Sequence, residues 1–396
     1  MAFISGPDGD LKTAFVSDSW LLDQFVGNRL FTWGTNSSGE IGDNTVDNWP
    51  SAKSSPVQTV AGGINWKSVS CGSSHKAAIK TDGTLWCWGS NSTLNTMGAL
   101  GDNTINDRSS PVQTVTFGTN WKQVSCGFYN TLAIKTDGTL WGWGYNTYGN
   151  LGDNTSTRRS SPVQTIAGGT NWKQVSGGYR HTAAIKTDGT LWTWGRNSYG
   201  QLGDNTIDFR SSPVQTIAGG TNWKQVACGQ YHIAAVKTDG TLWNWGKDDA
   251  GQLGDNEFFA TNKSSPVQTV AFGTNWKSVA CGWYYTAAIK ADGTLWLWGQ
   301  NNGNLGDNTI GSKLSPVQTV TFGTNWKQVT CCYANTAAIK TDGTLWCWGT
   351  NYNGQLGDNT TIPRSSPVQT IVGGTNWKQV AMGGGGQTAA VTNGDI

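Results

Sequence analysis

Three histidines and eight cysteines have the most chemistry to offer in this chain, and their spacing argues against both catalysis and metal binding. His75, His181 and His232 fall at one equivalent position of a repeating unit, which other copies fill with Asn130, Tyr285, Asn335 and Gln387. A general base or metal ligand would not interchange with tyrosine and glutamine around a repeat, so a polar strand-edge residue is the simpler reading. Cys71, Cys126, Cys228, Cys281 and Cys331 share a second position, held elsewhere by Gly177 and Met382; Cys87 and Cys347 share a third, and Cys332 stands alone. A site filled by Cys, Gly or Met is a small packing position where free Cys acts as a compact hydrophobe, and unpaired thiols suit assembly in a reducing compartment. Gly-Asp-Asn recurs at Asp43, Asp102, Asp153, Asp204, Asp255, Asp307 and Asp358. One carboxylate per copy falls short of the oxygens calcium needs, so these read as turns whose Asp and Asn bond their own backbone. There is no Gly-x-Ser-x-Gly elbow, phosphate-binding glycine loop or metal-type Cys/His spacing. No catalytic residue, metal or cofactor is expected.

The elements that position these residues come from the repeat itself. Trp-Gly pairs occur seven times, at Trp33, Trp88, Trp143, Trp194, Trp245, Trp298 and Trp348, and Ser-Pro-Val-Gln-Thr and Asn-Trp-Lys each occur seven times as well. In the copy starting at Asn171, four short strands are predicted: Trp172–Ser176, Thr182–Lys186, Thr190–Trp194 and Pro213–Ile217. Asp188-Gly189 between the second and third is a strong hairpin signal because the turn needs positive φ. A proline opening the fourth strand suits an outer edge. Each chain end supplies half a unit: Leu30–Gly34 lacks a preceding strand pair, and the last copy stops after Trp377–Ala381 and Thr388–Thr392. Joined in one sheet, they remove the open edges that a solenoid would have to cap. The fold class is therefore all-β, a seven-bladed β-propeller of four-stranded antiparallel blades closed by N- and C-terminal strands sharing one blade. It spans residues 30–396, with 1–29 as a separate arm.

Composition agrees with that reading. The 396 residues include 54 Gly and 23 Trp with only 13% charged residues, which means many tight turns and large aromatic anchors. A net charge of +2 gives no footprint for nucleic acid. Met1–Asp10 lacks the pattern of a cleaved signal peptide, and no apolar run is long enough to span a bilayer.

The stretch Gly178–Asp204, with His181-Thr-Ala-Ala-Ile-Lys-Thr-Asp-Gly-Thr-Leu-Trp-Thr-Trp-Gly followed by Tyr199-Gly-Gln-Leu-Gly-Asp, resembles the repeat of the regulator of chromosome condensation family. The resemblance covers Leu30 to the C-terminus and implies a seven-bladed propeller. Founding members bind chromatin and promote nucleotide exchange on a small GTPase. That activity is not carried over, because this chain has no basic tail or extra hairpin and the fold hosts many functions.

In a four-stranded meander, the first-to-second and third-to-fourth connections share one face of the disc, and the copies differ mainly there. The candidate binding residues on it are His75, Phe128, Tyr129, Tyr179, Arg180, His181, Tyr231, His232, Trp283, Tyr284, Tyr285 and Tyr333, a paratope-like set rich in rigid aromatics. The longer connections vary too, through 91–98, 145–150, 247–250 and 257–262. The opposite face is nearly constant; its lysines, such as Lys67 and Lys80, read as a solvated rim.

Arm residues Leu11, Phe15, Trp20, Leu22 and Phe25 are apolar at near-helical spacing and form a candidate docking segment. Such an arm before closely similar repeats resembles phage-encoded virion proteins. The leading expectation is a non-enzymatic bacteriophage virion component, in the tail, a fibre or the capsid surface. It would assemble in the host cytoplasm, be anchored to virion or scaffold proteins through 1–29, and present variable loops to a host-surface protein or glycan. The alternative is a cellular protein- or glycan-binding propeller, or a regulator of a small GTPase. Neither a membrane span nor a nucleic-acid partner is expected.

Overall fold

A computed structural model describes residues 4–5, 11–12 and 27–394, apart from 48–51, 61–62, 94–95, 117, 167–168, 258–260, 271–272, 321–322 and 373. Seven four-stranded antiparallel sheets follow one another in meander order. Blades 1 to 6 span 66–113, 121–164, 172–215, 223–268, 276–318 and 326–369, and the seventh joins 377–392 to 30–58. In that closing blade Gln387–Thr392 pairs with Leu30–Gly34, from Gly34↔Gln387 to Leu30↔Val391. The ring is thus locked by backbone pairing between the two ends of the propeller. Residues 27–29 stand where other blades have their second hairpin turn: the N–H of Trp66 bonds the Asn28 carbonyl as the N–H of Trp172 bonds that of Gly138.

Strand positions follow the expectation with one physical shift. The fourth strand of blade 3 runs Arg210–Gln215, so Pro213 sits inside it rather than opening it. The ladder slips there, from Thr193↔Val214 to Gly195↔Arg210, and the proline falls in the skipped stretch, where its missing N–H costs nothing. The hairpin between the second and third strands is a three-residue loop in which Gly189 alone has positive φ, at 80°, while Asp188 accepts the Thr190 N–H at 2.9 Å.

The core lies between blades in seven clusters. In blade 3, Trp172 and Trp194 sit 6.0 Å apart and pack on Leu132, Ile134 and Leu140 of blade 2. The Trp of each Trp-Gly pair is fully buried, and in six blades its Nε1 donates to a carbonyl of the preceding blade at 2.8–3.1 Å. The glycine of each Leu-Gly-Asp lies under that indole. A β-carbon on Gly203 would stand 2.8 Å from the Trp245 Nε1, and its φ of 66° adds strain for any other residue.

The carbonyl that accepts the tryptophan also takes a threonine hydroxyl from the next blade's second strand, as in Thr182 to Asn150 and Thr286 to Gln252. Blade 1 departs from this pattern. Lys76 replaces the threonine, donates to the Glu40 carbonyl at 2.6 Å and is fully buried, with the Glu40 side chain buried beside it. Burial pulls the Lys76 ammonium below its ordinary pKa and pushes the Glu40 carboxyl above its own. Restoring the residues used elsewhere, with Lys76→Thr and Glu40→Gln together, removes both desolvated charges and keeps a donor to the residue 40 carbonyl, giving up only the longer 3.4 Å bond from Lys76 to Gln387. The double variant is expected to gain about 1–4 kcal/mol in urea unfolding; a loss would show that the pair is net stabilising.

The arm reading falls almost wholly outside the described residues, where Phe15, Trp20, Leu22 and Phe25 lie. Leu11–Lys12 is extended and pairs with Ile4–Ser5, so this piece is not helical as its apolar spacing suggested.

Candidate functional site

On the face with the longer loops, one backbone bond in each blade clamps its two connections together. The residue after each Trp-Gly donates its N–H to the carbonyl of the last residue of the first connection, as Arg196 does to Arg180 and Lys247 to Tyr231. Side chains at these two positions therefore converge.

Over blades 2 to 6 they form a continuous aromatic sheet. Tyr179 contacts Phe128, Tyr129 and Tyr231 with centroids 5.4, 5.5 and 5.6 Å away. Tyr231 continues to Tyr199 at 5.0 Å and Tyr284 at 6.4 Å, and Trp283 contacts Tyr333 at 4.1 Å. Phe128 of blade 2 and Trp283 of blade 5 meet across the disc at 5.3 Å. They cap the axial channel above a cavity of about 70 Å³ lined by all seven first strands. Blade 1 and the closing blade offer only Ser73, Ser74, Gly384 and Gly385, so the face is lopsided.

Cations are interleaved with these rings. The Arg180 guanidinium lies 4.7–5.3 Å from the centroids of Tyr179, Tyr145 and Tyr148. Arg196 lies 5.1 Å from Tyr231, and Lys247 lies 5.0–5.6 Å from Tyr284, Tyr199 and Tyr231. Burial opposes the charge on Arg180, but the surrounding tyrosines outweigh it and raise its pKa; for Lys247, burial is outweighed by Asp249, 2.7 Å away. Burial, then Tyr179, pushes the Tyr129 phenol up to about 12. At neutral pH Tyr129, Tyr231 and Tyr284, all raised chiefly by burial, present uncharged phenols beside the positive charges of Arg180 and Lys247.

Of the expected residues, Phe128, Tyr129, Tyr179, Arg180, Tyr231, Trp283 and Tyr284 are half-buried in this sheet and Tyr333 is exposed. His75, His181, His232 and Tyr285 are corrected out of the surface: all four are buried between blades. The His75 Nε2 is 3.0 Å from the Thr131 hydroxyl and the His232 Nε2 3.1 Å from that of Thr286; Tyr285 bonds the Asn335 carbonyl and lies 3.1 Å from Thr336 Oγ1. Ile233 takes the threonine's place opposite His181, whose ring nitrogens have no partner. Burial lowers these histidines to about 4, 3 and 3 in chain order. Arg196, Lys247, Tyr145, Tyr148 and Tyr199 were missed as site residues. Tyr145, Tyr148 and Lys247 lie within the variable stretches 145–150 and 247–250 without having been singled out; for Tyr145, Arg196 and Lys247 the signal was the residue type directly after Trp-Gly, which is Thr35 and Ser90 in two other blades.

The repeated cysteines face the channel and add more than packing. The Cys228 Sγ donates to the Ser176 carbonyl of the preceding blade at 3.3 Å, and that of Cys126 to Ser70 at 3.5 Å. Burial pushes both thiols up to about 12, so they stay protonated. Most Gly-Asp-Asn carboxylates hold their own turn and a cation: Asp204 accepts the Thr206 N–H at 3.1 Å and pairs with Arg210 at 3.1 Å. No cluster of three metal-ligating side chains exists among the described residues, and none of their helices is long and apolar enough to cross a membrane.

A family model described as an RCC1-like domain matches residues 19–258, and regulator of chromosome condensation (RCC1) repeat models match 239–289 and 342–391. The chain belongs to the regulator of chromosome condensation repeat family. It is similar to the ultraviolet-B receptor UVR8 of Arabidopsis thaliana, 33% identical over 287 residues that cover 71% of this chain and 63% of that protein. It is also similar to human E3 ubiquitin-protein ligase HERC2, 31% identical over 66% of this chain but only 5% of that one. The chain thus spans less than two thirds of either relative. Among solved structures, human WBSCR16 superposes with a TM-score of 0.78 at 22% identity, covering 93% of this chain and 100% of that one. Prp20p of Saccharomyces cerevisiae gives 0.79 at 19%, covering 97% and 96%. These two likenesses concern the fold. The relatives named are proteins of cellular organisms, which favours the cellular reading over the virion one.

Proposed function

We propose that this RCC1-type propeller is a non-enzymatic protein-binding module whose aromatic and basic sector over blades 2 to 5 grips an acidic segment of a partner protein. The observation that carries this reading is the set Arg180, Arg196 and Lys247, each held against tyrosine rings on one face, with Lys247 also paired to Asp249. Cations fixed this way lose little side-chain entropy on binding, and Tyr, Trp and Arg are the residues that dominate binding energy in protein interfaces. A protein partner, though not its acidic character, is in keeping with the fold neighbour Prp20p, whose structure is described together with its binding to Gsp1p and histones.

The test is selection from a random peptide library on the immobilised full chain, repeated with Arg180→Glu, Arg196→Glu and Lys247→Glu combined. Asp/Glu-rich peptides are expected to be enriched by the native protein, with affinity falling at least tenfold in the triple variant and with added salt. Enrichment of neutral or basic peptides, or equal binding by the variant, would reject the reading.

A further inference from the structure

Next to Lys247, blade 4 breaks a rule that the other six blades keep. In those, the second residue after Trp-Gly is Asn, buried under the long connection. The Asn351 side chain donates from Nδ2 to Asp358 Oδ1 at 3.0 Å and to the Thr360 and Ile362 carbonyls at 3.0 and 3.2 Å. Its Oδ1 accepts the Leu356 N–H at 3.0 Å. Asn146, Asn197 and Asn301 repeat the bonds to Asp, to the threonine carbonyl and from the leucine N–H. One amide therefore ties the loop together from inside.

Blade 4 has Asp248 at this position, 0% exposed. Its Oδ1 still accepts the Leu253 N–H at 2.9 Å, but Oδ2 replaces the donor and has no hydrogen-bond partner. Asp255, which corresponds to Asp358, also has an unbonded, buried Oδ2. Two carboxyl groups thus face each other where every other blade has an amide and a carboxylate. The surrounding charges do not resolve the conflict. Lys263 on the fourth strand is 3.8 Å from Asp255 but 2.8 Å from Glu257, and Asp249 is taken by Lys247. From blade 5, Lys313 pairs with Asp307.

We propose that Asp248 is a proton switch beneath the binding face: as the neutral acid it donates to Asp255 in place of the missing amide and holds the loop bearing Lys247, and as the carboxylate it repels Asp255 and releases that loop. Burial, with Asp255 adding to it, pushes the Asp248 carboxyl up to about 7, so the change falls near neutrality. The three histidines, lowered to about 4 and 3, stay neutral there and cannot produce the same effect. Taken with the acidic-partner reading, on which this consequence rests, the face weakens as pH rises.

Two measurements on the full chain test this separately from that reading. Carboxyl carbon NMR is expected to show Asp248 titrating near pH 7, and a midpoint below about 5 would overturn the switch whatever the face binds. Affinity for a synthetic Asp/Glu-rich peptide is expected to fall about tenfold from pH 6 to pH 8, following the protonated fraction. Asp248→Asn installs the residue six other blades use, should fold normally, and should cut that change below about twofold. An equal pH dependence in the variant would overturn the proposal, as would stabilisation of the native protein by calcium chloride at pH 8 that the variant lacks, because a cation would then fill the proton's place. No peptide binding at any pH would reject the acidic-partner reading and leave the NMR midpoint to decide the switch.

Discussion

Ending the chain after Gly386 is expected to abolish the cooperative fold rather than trim it. The lost segment, Gln387–Thr392, is the second strand of the closing blade, hydrogen-bonded on one side to Trp377–Gly383 and on the other to Leu30–Gly34. Its Ala389, Ala390 and Val391 are fully buried, and Thr388 Oγ1 donates to the Gln355 carbonyl of blade 6 at 2.8 Å. Each ladder bond contributes about 1 kcal/mol and each buried aliphatic side chain about 1–3, so the loss matches the roughly 5–15 kcal/mol that holds a typical domain together. It also leaves two unpaired edges facing each other. The near-UV circular dichroism of the packed tryptophans should vanish and the protein should aggregate. A truncated chain that stays monomeric with its native spectrum would mean the blades hold without closure.

Acid should unfold the protein well before its surface carboxylates are neutralised. An unfolded chain protonates its histidines near pH 6.5, whereas His75, His181 and His232 stay neutral in the fold down to about 4, 3 and 3. Folded pKa values below the unfolded ones mean that stability is complete above about pH 6.5 and lost as pH falls through that window. Asp248 acts with the opposite sign, because the fold keeps a proton up to about pH 7 that the unfolded chain releases near pH 4. Three histidine protons taken up outnumber those released by Asp248 and by Glu40, whose carboxyl the fold also raises, so unfolding binds protons and stability falls as pH drops from about 6 to 4.5. His181→Asn, using the residue found at Asn130 and Asn335, should lower that slope by about 1.4 kcal/mol per unit, and Asp248→Asn should raise it by the same amount. Urea midpoints at pH 7, 6 and 5 give the slopes; stability independent of pH would show that the histidines are solvated.

The blade count, the meander and the shared closing blade were legible because Trp-Gly, Asn-Trp-Lys and the proline strand repeat in fixed order and the ends carry complementary halves. Proline's place was shifted because a bulge on an edge strand hides it, and sequence carries no register across a slip. The depth of the histidines was not legible for a different reason. The second strand of each blade packs on neighbours from both faces, so His181–Lys186 is buried from His181 to Ile185 and shows no alternation to separate inside from outside. Arg196 was not read as variable, and Lys247 only as the first residue of the stretch 247–250, because these connections point at the neighbouring loop with their ends, not their middles. The constant side was legible only in part: Lys67 is exposed, as a solvated rim requires, but Lys186 lies 4.9 and 4.4 Å from the ring centroids of Trp172 and Trp192, a packing role repeated in five other blades, Lys80 included.

The central claim, that the aromatic and basic side is the working surface, is tested most directly by placing a photo-crosslinking residue at Tyr231 in one protein and at Asp188, on the opposite side, in another. Illumination with the library-selected acidic peptide should yield a covalent adduct from position 231 and none from 188. An adduct from 188 alone would contradict the claim.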